Sequence, residues 1–159
     1  MVADLRDQGK SVDEVKAWVL ENRLTINQWF FSADLTHYFR RGRISRSSAF
    51  FGNMLHICPL MAMNPEGKLI PRNKVRGKSK VTKRLINIME ESAIKGKAYD
   101  GYCYLATSDD FRTANKVKDE IEAYFHKLKG KVIINSIGAV IGCIQGQERQ
   151  HFFFQRHKR

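Results

Sequence analysis

The sequence predicts an α/β fold, a mixed β-sheet packed with helices in two layers. Three observations point to it. Short runs rich in aliphatic and aromatic residues recur at 26–31, 60–63, 102–106, 131–134 and 152–154, with the length and composition of strands. Between several of them lie longer stretches with apolar residues at helical spacing, and capping residues and glycines mark where those stretches begin and end. With 159 residues, the chain is long enough to bury the core of one ordinary domain.

Taken in order, Ser11 and Glu14 have the spacing of a capping box, in which each side chain satisfies the other's backbone N–H. Val15, Trp18 and Val19 then mark one helical face, so a first helix is expected to about Asn22. Ile26 to Phe31 alternates and is aromatic-rich, which predicts a strand; Ser32 is placed to cap a short helix ended by Gly42. Ser45 to about Leu55 is apolar and helical in pattern. Leu60 to Met63 and Lys68 to Ile70 are short strands joined by Asn64-Pro65-Glu66-Gly67, with proline and glycine where a tight turn wants them.

Over 79–94, Val81, Leu85, Ile88 and Met89 recur at helical spacing, and Gly96 supplies a stop. Tyr102 to Ala106 is a buried strand in pattern. Ser108 or Asp109 is expected to cap a helix whose inner face is Phe111, Ala114, Val117, Ile121 and Phe125. Lys131 to Ile134 is another strand, Ile137 to Gly142 an apolar segment punctuated by glycine, and Phe152 to Phe154 a last strand.

The start of the chain carries charges where a signal peptide needs an apolar segment, and no apolar run is long enough to span a bilayer. A cytoplasmic location is therefore expected. The three cysteines, Cys58, Cys103 and Cys143, are widely separated; they fit reduced, buried thiols and neither a metal site nor a redox pair. The formal net charge is +12, concentrated in Lys68, Arg72, Lys74, Arg76, Lys78, Lys80, Lys83 and Arg84, with a second group at Arg40, Arg41, Arg43 and Arg46. Clustered cations of this kind raise nucleic acid or an anionic surface as an alternative partner. No recognisable nucleic-acid module accompanies them, and a charge run is more often a solvated face.

No constellation for catalysis stands out: there is no nucleophile elbow, no phosphate-cradling loop and no histidine pair at metal-ligand spacing. The chain is expected to be non-catalytic, with no cofactor and no metal. Asp109 and Asp110 are adjacent at a helix start, where capping outweighs acid–base work. Arg43 beside Gly42 and Arg76 before Gly77 are the arginines to watch, because a guanidinium next to glycine can approach a carboxylate or phosphate closely and grip it with two hydrogen bonds.

Specific motifs run in a fixed order through the chain: Arg41 to Ser45 (RGRIS), Ala49 to Met61 (AFFGNMLHICPLM), Glu66 to Lys80 (EGKLIPRNKVRGKSK) and Ser136 to Gly142 (SIGAVIG). With Asp4 to Val15 and Asn27 to Phe39, they resemble the C-terminal half of the DegV family of bacterial fatty-acid-binding proteins. The resemblance implies a lipid-binding protein that encloses one long-chain fatty acid between two domains. It also implies a partner, an ATP-dependent fatty acid kinase similar to dihydroxyacetone kinases, which phosphorylates the carboxylate. Under it, Met54, Leu55, Ile57, Leu60 and Met61 line or flank the acyl tunnel, and Arg43 and Arg76 serve the carboxylate end or the kinase contact.

The resemblance also implies a division of the chain. Residues 1–32 read as a remnant helix and strand of an N-terminal lipid-binding domain, and 33–159 as a domain like the family's C-terminal one. Loss of the partner domain is expected to expose Trp29 to Phe31 and the Phe50-Phe51 region, favouring self-association. Residues 143–159 depart from the family, whose signature after Gly142 reads x-His-Thr-Gly-Pro-Gly-Thr; here Ile144 stands at the histidine position. One permitted set of codons for Cys143 to Arg149, read one base out of frame, encodes His-Thr-Gly-Pro-Gly-Thr. A frameshift in the gene is thus one expectation, and weakened lipid binding another, since Gln147-Glu148-Arg149 lacks the donor and Glu148 repels a carboxylate.

Overall fold

A computed structural model describes residues 1–32, 42, 57–145 and 149–155. The expected helix that Gly42 ends, the expected helix from Ser45 to Leu55 and the Phe50-Phe51 pair fall outside the described residues. The elements are α1 (Val2–Asp7), α2 (Val12–Asn22), β1 (Ile26–Ser32), β2 (Ile57–Met63), β3 (Leu69–Arg76), α3 (Lys78–Ser92), β4 (Cys103–Ser108), α4 (Phe111–Tyr124), β5 (Val132–Ser136), α5 (Ala139–Gln145) and β6 (Arg149–Gln155).

The capping box forms as expected at α2: Ser11 Oγ accepts from the Glu14 N–H at 3.3 Å, and the Glu14 carboxylate accepts from the Ser11 N–H at 2.8 Å. Lys10 Nζ, 2.7 Å away, and the Ser11 bonds hold the Glu14 carboxyl down at about 2. The Asn64–Gly67 turn also forms. Gly67 has φ of 76°, and Asn64 Oδ1 accepts from the Lys68 N–H at 2.7 Å, an Asx-type closure. Beyond it β3 runs on to Arg76, further than the expected end at Ile70. Pro71 is compatible with that because β3 is an edge strand, where a missing N–H breaks no ladder on the open side.

The six strands form one sheet in the order β3-β2-β1-β6-β4-β5. The β4–β5 pair, bridged by α4, is parallel, and the other neighbours are antiparallel. The sheet is therefore mixed. The strand read as a remnant of a preceding domain, β1, lies inside this sheet, with β2 on one side and β6 on the other. That placement corrects the expected exposure of Trp29 to Phe31: Phe30 and Phe31 are 1% and 3% exposed and Trp29 is half-buried.

Alternation along the strands separates two faces. Phe31 on β1, Leu60 on β2, Phe152 and Phe154 on β6, Cys103 and Leu105 on β4 and Val132 on β5 share one cluster with Val81, Leu85, Ile88 and Met89 of α3 and Val117 and Ile121 of α4. This is the principal core. The cap of α4 is Asp110, whose Oδ1 accepts from the Thr113 N–H at 3.1 Å, and not Ser108 or Asp109; Asp109 takes a left-handed φ of 63° instead. Phe111 is consequently the first helical residue, at the margin of the apolar stripe, and it is 45% exposed rather than on the inner face.

Tyr99 ties the loop before β4 to the last strand. Its hydroxyl donates to the Tyr102 carbonyl at 2.6 Å and accepts from the Gln155 N–H at 3.0 Å. Gly101 leaves the room for this, since a Cβ there would stand 2.7 Å from the Tyr99 hydroxyl. Burial pushes the Tyr99 phenol up to about 12. The fold thus favours the neutral form, so the stability it contributes is complete below pH 10, the ordinary value, and is lost as pH rises towards about 12. Tyr99→Phe is expected to lower unfolding free energy by about 1–2 kcal/mol in denaturant titration and to flatten the loss of stability above pH 10.

Candidate functional site

The sheet face opposite α3 and α4 carries a second buried band. Cross-strand register places Met61 beside Phe30, Phe30 beside His151, and His151 beside Ala106. Met61 and Phe30 are 0% and 1% exposed, His151 6%, and Ala106 is half-buried. The His151 ring is stacked on Phe30 with centroids 5.1 Å apart and on Phe153 at 6.3 Å. The row is apolar but for the one imidazole.

The residues singled out from sequence scatter over this framework. Leu60 and Met61 are both fully buried, yet they point to opposite faces. Leu60 packs in the core beneath the helices, and Met61 sits in the second band. Arg76 is exposed at the end of β3, where its backbone pairs with Ile57. Arg43, Met54 and Leu55 lie outside the described residues, as do the side chains of Ile57 and Ile144. Phe30 and His151, which the band adds, were not singled out from sequence; HFFF at 151–154 reads as a strand but does not say which strands it pairs with.

Just past the departure from the family signature, Gln150 is 1% exposed. Its Nε2 donates to Thr107 Oγ1 at 2.9 Å and to the Asp110 carbonyl at 3.1 Å, while its Oε1 accepts nothing. An unpaired buried acceptor costs about 1–3 kcal/mol. Among the described residues no group of histidine, cysteine and carboxylate side chains could hold a metal, and no helix is long and apolar enough to cross a membrane.

The described residues thus form an α/β protein, a mixed sheet with α3 and α4 on one face and a buried, largely apolar band on the other. The sequence model of the DegV family, described as uncharacterised proteins, matches residues 1–153. The chain belongs to the DegV family. A DegV domain-containing protein of Streptococcus pyogenes is 32% identical over 146 residues, covering 92% of this chain and 49% of the relative. The crystal structure of a fatty acid binding DegV family protein from Streptococcus agalactiae is 26% identical with a TM-score of 0.79, over 99% of this chain and 54% of that one. The Fak B3 protein of the Streptococcus pneumoniae fatty acid kinase, loaded with linoleic acid, has the same fold at 17% identity, with a TM-score of 0.82 over 98% and 53% of the two chains. The chain spans about half the length of the relatives it matches.

Two substitutions separate core from surface here. Leu60→Ala is expected to cost about 2–5 kcal/mol in equilibrium unfolding, because it opens a cavity under α3. Arg76→Gln is expected to shift stability by no more than about 0.5 kcal/mol, so any larger effect it has on ligand or partner binding reports function alone.

Proposed function

We propose that this chain is a fatty-acid-binding module that supplies one wall of a lipid site and presents the bound acid to an ATP-dependent fatty acid kinase. The observation that carries the reading is the buried Met61–Phe30–His151 row on the sheet face away from α3 and α4, in a chain of the DegV family. Support comes from the relatives, one named as fatty acid binding and one a kinase B subunit holding linoleic acid. The acyl chain lies along the side of the sheet that Met61 and Phe30 face. Arg43 and Arg76 serve the carboxylate end or the contact with a kinase subunit resembling dihydroxyacetone kinases.

Binding by this chain alone is weak in this reading, for two reasons. It spans about half the length of its relatives, so on its own it supplies only part of an enclosure. The polar latch is also altered, with Ile144 at the histidine position and Glu148 nearby in sequence.

The test is a thermal-shift titration with linoleic acid below its micellar range. A ligand that binds only the folded chain stabilises it by about 2.7 kcal/mol at a hundredfold excess over Kd. A saturable rise in Tm is expected, with an affinity at least about tenfold below that of the Streptococcus agalactiae protein measured alongside. No saturable rise defeats the lipid reading; equal affinity defeats the weakened latch.

A further inference from the structure

A cleft of about 760 Å³ opens where β1 parts from the β2–β3 hairpin; it meets the buried band at Phe153, which lines the cleft and stacks on His151. Trp29 pairs with Ala62 at the end of the β1–β2 ladder, while Ile26 to Gln28 continue against β6 alone. The gap between them is walled by α3, through Asn27 Nδ2 donating to Ser92 Oγ at 3.2 Å. Two features aim its chemistry. The Trp29 indole Nε1 is buried and donates to nothing, although a buried indole N–H ordinarily finds an acceptor. The β2–β3 ladder shifts register between Leu60 and Met61, pairing them with Asn73 and Pro71, so Arg72 is the extra residue of a bulge. Bulges commonly redirect a side chain into a site.

Arg72 lines the cleft, as do Arg23 and Arg84. Arg84 is partly neutralised by Glu91 at 3.4 Å; Arg23 and Arg72 form no ion pair with any described residue. Against those three guanidiniums stands one carboxylate, Glu91, and the rest of the lining includes Leu24, Ile88 and Met63. We infer that this cleft binds a small organic anion, a phosphate or carboxylate carrying an apolar group. Its acceptor oxygen takes the Trp29 N–H, its charge is held by Arg72 and Arg23, and its apolar part lies against the aliphatic wall. Guanidinium and oxyanion match in a two-bond geometry that a solvated arginine leaves unused.

The chain has two tryptophans, so Trp18→Phe leaves Trp29 as the sole indole reporter. Titration of that variant with phenyl phosphate, and separately with benzoate, is expected to shift Trp29 emission saturably; the tighter of the two names the headgroup. Adding Arg72→Gln is expected to weaken binding about tenfold, the loss of one charge-assisted contact. Trp29→Phe keeps an aromatic side chain, though a smaller one, and removes the donor; calorimetry on it is expected to show weakened binding as well. Linoleic acid response in the Arg72→Gln protein should be unchanged, which separates this cleft from the lipid band. No saturable shift with either probe, or equal affinity after Arg72→Gln, overturns the inference.

Discussion

The insertion of β6 between β1 and β4 is the constraint on which the rest of this structure depends. On one side of it stand the β2–β3 hairpin and β1; on the other, the parallel β4–β5 pair with its α4 crossover. Only β6 joins these two blocks into one sheet. Its alternate residues, Phe152 and Phe154 against the helices and His151 on the other side, give both faces their central buried row. A strand near the end of the chain thus completes a core begun at residue 26, and its long-range antiparallel pairing carries a high loop-closure cost during folding.

The same strand combines apolar and polar burial. Phe152 and Phe154 supply apolar side chains to the helix-side core. Two residues before Phe152, Gln150 is a buried amide that satisfies its donors and leaves its acceptor unpaired, the more costly kind of burial.

The gap between β1 and the β2–β3 hairpin gathers several irregularities. The bulge at Arg72, a cluster of arginines and an unpaired indole coincide in one cleft. The buried band and the cleft are chemically distinct. One is a buried apolar row with a single imidazole; the other is an open, cationic gap with an aromatic donor.

Much of this was determined by sequence alone. Local rules produced the capping box at Ser11 and Glu14, the Asn64–Gly67 turn, the helix beneath Val81 to Met89, the mixed α/β class and the family, since each depends on neighbours within a few residues or on motif order. Other features were decided only by tertiary structure. Leu60 and Met61 read alike along the chain, but the pleat sends one into the helix-side core and the other into the buried band on the opposite face. The strand expected to end at Ile70 runs on through Pro71, because an edge position makes the missing N–H harmless. Trp29 to Phe31 read as a surface exposed by a lost domain, but β6 arrives from the far end of the chain to cover their edge. Pairing partners more than a hundred residues apart leave no local mark, which is why β6, the strand everything hangs on, was legible as a strand and not as the centre of the sheet.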